Sequence, residues 1–205
     1  MIRYKFIDNQ VLDLYNALPS LSFPLDVYGV IDCIPNCKCL SYQQFASLNG
    51  CSSETIAESC GSKFGCTNYD TTTGRYLILC NRSTDGNNTL GRQRWTCGHE
   101  IGHVVCKHNL MSSGEFLTYS NDVLGGNVEN ECEREADYFA ATLLAPFPLF
   151  DILKVKSVTD VQNIFGLSCE ASVNRYKQYL KWKNTHYKTG WSNDMVKTYV
   201  QKQAK

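Results

Sequence analysis

The segment His99-Glu100-Ile101-Gly102-His103 constrains the fold more than any other part of the chain. Histidines four residues apart share one face of an α-helix, so both imidazoles can reach a single metal ion if the segment is helical. Glu100 follows the first histidine, where its carboxylate can take a proton from water at that metal. We therefore predict a metal-binding HExxH helix with His99 and His103 as ligands and Glu100 as general base.

The pattern around this motif predicts a mixed arrangement of helices and strands. Alternation and β-branched residues predict strands, whereas apolar residues at spacings of three and four predict helices. Strands are predicted at 25–31 and 75–80, helices at 10–18, 41–49, 92–108 and 130–144, and two further helices within 158–182, joined at Gly166-Leu167-Ser168. Residues 50–75 show little periodicity, and 109–128 are predicted to be a long polar loop.

Helical geometry selects a third ligand from the glutamates that follow the motif. A catalytic zinc site takes three protein ligands and leaves one position open. The candidates are Glu129, Glu131, Glu133 and Glu135. At 100° per residue, Glu133 falls on the apolar face that runs from Ala136 to Leu144, whereas Glu131 and Glu135 fall on the solvent side. Glu129 is expected to precede the helix, so Glu133 is the predicted ligand.

Two further features fit a metal shared between these helices. Asp137 lies one turn after Glu133, where its carboxylate can accept the free N–H of a metal-bound histidine. Small residues recur at intervals of four in both helices and would allow a close helix crossing. These residues are Gly98, Gly102, Ala136 and Ala140.

The donor types and the open position favour one Zn²⁺ per chain and metal-assisted peptide hydrolysis. In this chemistry zinc acts as a Lewis acid, and Glu100 moves the proton from water to the leaving amine. A group that stabilises the oxyanion is also needed, and His108 and Tyr119 both remain candidates. The strand at Tyr76–Cys80 either offers its edge to an extended substrate or is an ordinary core strand.

Charge and cysteine content bear on partners and compartment. The net charge is zero over 205 residues, but 1–153 carry a balance of −7 and 154–205 a balance of +7. No apolar run is long enough to span a bilayer, and the N-terminal residues lack a signal-peptide pattern, so we expect a cytoplasmic protein with no membrane partner. Most of the 11 cysteines are expected to be free, with a metal at Cys33, Cys37 and Cys39 as the alternative.

The basic C-terminal region has the pattern of a helix-turn-helix, with Ser168 as N-cap of its second helix. The predicted apolar face of that helix consists of Val173, Tyr176 and Leu180. The predicted outer, basic positions are Arg175, Lys177, Lys181 and Lys183. Such a pair of helices either contacts DNA or a DNA-bound repressor, or covers the catalytic core. Direct DNA contact is not favoured, because one short basic helix makes few phosphate contacts.

The string RYLILCNRSTDGNNTLGRQRWTCGHEIGHVVCKH, followed by EREADYFAATLLAP, resembles the ImmA/IrrE family of zinc metallopeptidases. The resemblance covers about residues 10–182 and is most specific in the order strand–RQR–HExxH and in the second string. It implies an α+β, compact gluzincin-like core with a helix-turn-helix-like region after it. It also implies zinc held by His99, His103 and Glu133, with Glu100 as general base. The cysteine-rich stretch at 33–66 departs from the family pattern.

Two functions follow from this resemblance and from the residues themselves. The first is a zinc endopeptidase in residues 1–153 that cleaves a helix-turn-helix repressor of a mobile element or stress regulon. The second is a non-catalytic regulatory zinc protein that docks a repressor or DNA through residues 154–205. The presence of Glu100 favours the enzyme, because a purely structural site needs no general base.

Overall fold

A computed structural model of the chain describes residues 1–111, 116–118, 128–185 and 190–204. It confirms the predicted α+β class: helices surround one small mixed sheet. The helices of the described part are α1 (Tyr4–Ala17), α2 (Val27–Asp32), α3 (Tyr42–Asn49), α4 (Ser53–Ser59), α5 (Leu90–Val105), α6 (His108–Met111), α7 (Val128–Leu144), α8 (Val158–Phe165), α9 (Cys169–Asn184) and α10 (Gly190–Gln203). The strands are β1 (Cys37–Ser41), β2 (Gly65–Asp70), β3 (Arg75–Cys80) and β4 (Phe116–Thr118).

The sheet has the order β1-β3-β2-β4. β3 pairs in parallel with β1 and antiparallel with β2, and β2 pairs antiparallel with β4. Because β3 has a neighbour on both sides, its backbone groups are used within the sheet and its edge is not open to a substrate. The idea of strand addition at Tyr76–Cys80 is therefore wrong, and the core-strand alternative is correct.

The motif helix α5 begins where its sequence offers a cap. The Thr89 side chain accepts a hydrogen bond from the backbone N–H of Arg92, which satisfies one unpaired group of the first turn. The helix then packs across α7 at the small residues predicted for this role. A Cβ atom on Gly102 would lie 3.0 Å from the Cα of Ala136 and 3.2 Å from its carbonyl oxygen. Any larger residue at position 102 would therefore force the two helix backbones apart by a few tenths of an ångström.

The predicted strand at 25–31 is wrong, because Val27–Asp32 form the helix α2. The Asp26 side chain caps this helix by accepting from the Tyr28 N–H. Val27, Val30 and Ile31 are its buried residues, at helical spacing. A short apolar run with β-branched residues does not distinguish a strand from a buried helix, and the N-cap decides the outcome here.

Several elements have no strong periodic signal and were not predicted. β1 lies in the cysteine-rich stretch, while α4 and β2 lie within residues 50–75. β4 lies in the segment predicted as a polar loop, and α10 lies beyond the last predicted helix. Glu129 lies inside α7, which begins at Val128, and not before the helix as expected.

The helix pair in the C-terminal region forms where predicted, and Ser168 caps α9 by accepting from the Ala171 N–H. The predicted faces of α9 are rotated by one position. Its buried residues are Ser172, Arg175 and Tyr179, whereas Leu180 is 44% exposed. The error arose because Arg175 is buried: its Nε donates to the Ala145 carbonyl over 2.8 Å, and its guanidinium lies over the Phe147 ring.

The buried residues of the C-terminal region belong to the same cluster as those of the N-terminal region. Phe165, Tyr179 and Met195 share one hydrophobic core with Ile7 and Ile101. α10 also contacts α1. The division at 153/154 stays a prediction, but the helices after it cover this core. None of the helices among the described residues has the length and apolar character of a membrane span.

Candidate metal centre

Three donor atoms from α5 and α7 converge at the helix crossing. The Nε2 atoms of His99 and His103 lie 3.0 Å apart. Glu133 places Oε2 3.1 Å from His99 Nε2 and Oε1 3.4 Å from His103 Nε2. Ligands at about 2.0–2.1 Å from a tetrahedral metal stand roughly 3.3 Å from one another. The spacing and chemistry of these donors therefore fit a metal ion such as zinc.

Asp137 lies behind His99, at the position predicted for it. His99 Nδ1 and Asp137 Oδ1 are 3.0 Å apart. Donation of the Nδ1 proton to this carboxylate leaves the Nε2 lone pair directed at the metal position. Without a bound metal, burial opposes protonation of His99, but the hydrogen bonds to Asp137 and Glu133 outweigh it and raise the pKa of His99 to about 10. A metal ion would therefore displace the Nε2 proton on binding.

A second chain of contacts lies behind His103. His103 Nδ1 is 3.0 Å from His108 Nδ1, and His108 Nε2 is 3.1 Å from Glu135 Oε2. If each ring donates toward Glu135, His103 also presents an unprotonated Nε2 to the metal position. Arg3 completes the chain, because its backbone N–H and guanidinium donate to Glu135. Burial favours the neutral carboxyl, but these hydrogen bonds outweigh it and lower the pKa of Glu135 to about 2.

This chain corrects the prediction for Glu135 and bears on the open question of His108. Glu135 does not point to solvent: it is 4% exposed and anchors His108. His108 is fully buried between His103 and Glu135 and is not among the residues that line the cavity beside the metal position. It therefore fits a positioning role better than oxyanion stabilisation. Tyr119, the other candidate, lies outside the described residues.

Strand β2 holds the carboxylate of Glu100. The Thr67 hydroxyl donates to Glu100 Oε2 over 2.7 Å, which leaves Oε1 for a proton. Burial raises the pKa of Glu100 to about 7, a range in which a carboxyl group can both accept and return a proton. Gly65 allows this approach, because a Cβ there would lie 2.6 Å from a Thr96 methyl carbon. Because residues 50–75 show weak periodicity, the sequence did not predict β2 or the contact of Thr67 with Glu100.

A cavity of about 850 Å³ opens beside the donor atoms. His99, Glu100 and Asp137 contribute to its wall, together with aromatic residues that include Phe64 and Trp95. A catalytic metal needs an open coordination position that water and substrate can reach. The cavity supplies such access on the side of Glu100.

The Arg92-Gln93-Arg94 run before the motif has three separate contacts. Arg92 lines the cavity and lies over the Phe64 ring at 4.9 Å. Gln93 is buried and donates to the carbonyl oxygens of Ser83 and Asn88, which ties the preceding loop to α5. Arg94 donates to the Gly166 carbonyl at the turn between α8 and α9. The run therefore attaches α5 to its surroundings on three sides.

Comparison with protein families supports the same interpretation. The model of the IrrE N-terminal-like domain, Peptidase_M78, matches residues 67–177, which is more than half of the chain. The chain belongs to the Peptidase_M78 family. The matched range extends from Thr67 through α5 and α7 to α9, and the predicted ImmA/IrrE resemblance is thus confirmed. No curated protein was found to match the chain.

Membership in Peptidase_M78 supports a metallopeptidase-type function for this domain. The described residues contain groups that can hold the required metal, and His99, His103 and Glu133 form one of them. The general function thus follows from the family, while the metal, the substrate and the role of each residue are matters for proposal and experiment.

The Gly102–Ala136 crossing leads to a prediction about stability and metal affinity together. We expect Gly102→Ala to lower the free energy of unfolding by about 1–3 kcal/mol, the usual cost of adding atoms to a packed core. It should also weaken metal binding, because the contacted atoms of Ala136 belong to the backbone that carries Glu133. Denaturant unfolding and metal titration measure the two effects. Gly190→Ala is the control, since a Cβ there would meet no atom of the described residues within 4 Å. Equal stability of the two variants would contradict the prediction.

Proposed function

We propose that the protein is a zinc-dependent endopeptidase that hydrolyses a peptide bond in a specific protein. The observation that carries the proposal is the convergence of His99, His103 and Glu133 at one point, with Glu100 beside them at an open cavity. A structural zinc site is normally closed by four protein ligands, whereas a catalytic site has three and an open position. Three donors next to a buried carboxylate therefore support catalysis.

Zinc suits this donor set better than other common metals. Imidazole suits zinc, copper, iron and nickel, whereas sites for magnesium, calcium and manganese are richer in carboxylate, carbonyl and water. Two imidazoles with one carboxylate form the ligand set of many zinc peptidases. When bound, zinc supplies Lewis acidity that polarises the scissile carbonyl and acidifies water.

Side chains of the protein transfer the proton, orient the metal ligands and exclude water. Glu100 accepts the proton of the attacking water at the carboxylate oxygen that Thr67 leaves open, and returns it to the leaving amine. Asp137 and His108 orient His99 and His103, each through a contact of 3.0 Å. The apolar wall around Phe64 and Trp95 excludes water from the substrate backbone and strengthens the electrostatic interactions of Glu100.

The substrate that we propose is a helix-turn-helix repressor of a mobile element or stress regulon, which would place the protein in the cytoplasm. The ImmA/IrrE resemblance supports this class of substrate. The exposed lysines of α9 supply a positive surface that can contribute to docking an acidic partner. Lys177 and Lys181 are exposed on this helix, whereas Lys183 pairs with Asp151 over 2.8 Å.

The second candidate is a non-catalytic regulator that docks a repressor or DNA through this region. The exposed lysines favour it, but the burial of Arg175 removes one of the four basic groups on which it depends. Proteins gain most of their affinity for DNA when lysine and arginine side chains neutralise phosphates. A helix with fewer exposed cations is therefore expected to bind DNA more weakly. We therefore prefer the peptidase and regard direct DNA contact as the less favoured mode.

Cleavage of proteins from the native host tests the proposed function. Zinc-loaded protein is incubated with host extract, and new N-termini are identified by mass spectrometry. We expect one or very few cleaved proteins, with a helix-turn-helix repressor among them, because a narrow regulatory substrate predicts few products. The control is the same protein with its metal removed by a chelator. Zinc binding without any metal-dependent new N-terminus would contradict the peptidase and favour the regulator.

A further inference from the structure

Three cysteines that are distant in sequence meet on the other side of α5. Cys39 comes from β1, Cys80 from β3 and Cys97 from α5, and their sulfur atoms all lie within 4.8 Å of one another. Register explains the pairing: Cys39 lies opposite Ile78 in the sheet, and Cys80 is two residues further along, on the same face. The group Cys33–Cys37–Cys39, which was the alternative metal site from the sequence, is not among the metal-ligating clusters of the described residues.

The environment of the cluster favours a charged sulfur at Cys39, whereas hydrogen bonding to Cys39 and burial raise the pKa of Cys80 and Cys97. Cys80 and Cys97 are buried, while Cys39 is partly exposed and lies 3.8 Å from the Arg82 guanidinium. Hydrogen bonds from Cys80 and Cys97, followed by the contact with Arg82, lower the pKa of Cys39 to about 3 against the opposing effect of burial. Arg82 is itself held over the Tyr28 ring at 3.9 Å. A fixed cation therefore faces the thiol group at the solvent side of the cluster.

We propose that Cys39, Cys80 and Cys97 form a second metal site, which binds a soft, thiophilic metal ion. Thiolates select such ions over hard, oxygen-binding ones. Sulfur ligands at about 2.3 Å from a metal stand roughly 3.8–4.0 Å apart, so the cluster needs only a small contraction to bind. Three thiolates, a divalent ion and Arg82 together carry no net charge, which limits the cost of burying the site.

The proposed site goes beyond the peptidase function and has a structural consequence. Cys97 lies two residues before His99 on α5, while Cys39 and Cys80 lie on neighbouring strands. A bound ion would join the motif helix to the sheet by bonds that packing alone does not supply. It would stabilise the folded protein in proportion to its affinity and concentration, and each thiol would release its proton on binding.

Titration with Cd²⁺ tests the site directly. The full chain is kept reduced with a reductant that contains no thiol, and the ultraviolet charge-transfer band of cadmium–thiolate bonds is followed. Histidine and carboxylate ligands do not produce this band, so binding at the His99 site does not interfere. We expect a band that saturates at about one Cd²⁺ per cluster, and an increase in melting temperature.

Matched cysteine variants locate the ligands. Cys39→Ala and Cys80→Ala should weaken the band-forming affinity at least tenfold, whereas Cys33→Ala should leave it unchanged. X-ray absorption at the cadmium edge of wild type whose His99 site is already filled with zinc should find three sulfur neighbours, and this measurement does not depend on any variant folding. A missing band, a band lost in Cys33→Ala but kept in Cys39→Ala, or a disulfide within the cluster under these reducing conditions would overturn the proposal.

Discussion

Substitution of His99 by alanine is expected to remove the zinc ion held by His99, His103 and Glu133, a loss of about one ion per chain at low micromolar free zinc. His99 supplies one of three donors, and its loss leaves a carboxylate and one imidazole, too few for a stable site. We expect affinity to fall by more than the 10–100-fold that is typical for residues behind a ligand. His103→Ala and Glu133→Ala should have effects of the same size. Metal analysis after dialysis against buffered zinc measures all of them.

A graded series makes this prediction specific. Asp137→Asn keeps all three donors but weakens the hydrogen bond to His99, so a loss of about 10–100-fold is expected. Glu131→Ala is the control from the same helix, since this side chain is half exposed and pairs with the N-terminus of the chain. Glu135→Ala is not a clean control, because Glu135 is buried against Arg3 and His108. Full zinc content in both His99→Ala and His103→Ala would show that the metal lies elsewhere.

The parts of the site within helices were predictable because the spacing of residues along a helix determines the direction in which their side chains point. Positions four apart determine the shared face of His99 and His103, and a wheel of α7 is sufficient to select Glu133 and Asp137. The same reasoning placed Glu135 on the solvent side, and there it was wrong. A helical wheel describes one helix, and it contains no information about α1, which brings Arg3 to this side and makes burial of a carboxylate favourable.

The remaining parts of the site depend on contacts between distant segments. Thr67 contacts Glu100 because β2 pairs antiparallel with β3 in a particular register. The sequences of the two strands do not indicate that register. The buried face of α9 was assigned wrongly for a related reason, because Arg175 was expected to be exposed and is buried. An arginine is normally placed at the surface, but the carbonyl of Ala145 and the Phe147 ring provide a buried partner and a stacking surface.

Substitution of Glu100 by glutamine is expected to separate metal binding from catalysis. The amide keeps the size of the side chain and can still contact Thr67, but it cannot accept a proton at the pH of the reaction. Zinc binding by His99, His103 and Glu133 should survive, because Glu100 is not one of the converging donors. Hydrolysis should fall by at least about 100-fold, the usual scale for loss of a positioned general base. Rates on a substrate identified by its new N-terminus measure the effect.

The behaviour of Glu100→Gln with that substrate also distinguishes the two proposed functions. If the protein is a peptidase, the variant should bind the repressor through an intact cavity but leave it uncut, so repression persists in cells where the wild type relieves it. Asp137→Asn at saturating zinc is the matched control, since it alters a residue of the same cavity wall without removing the base. Cleavage by Glu100→Gln at the wild-type rate would rule out Glu100 as the base. Relief of repression by both proteins without cleavage by either would instead identify a regulator that acts by binding.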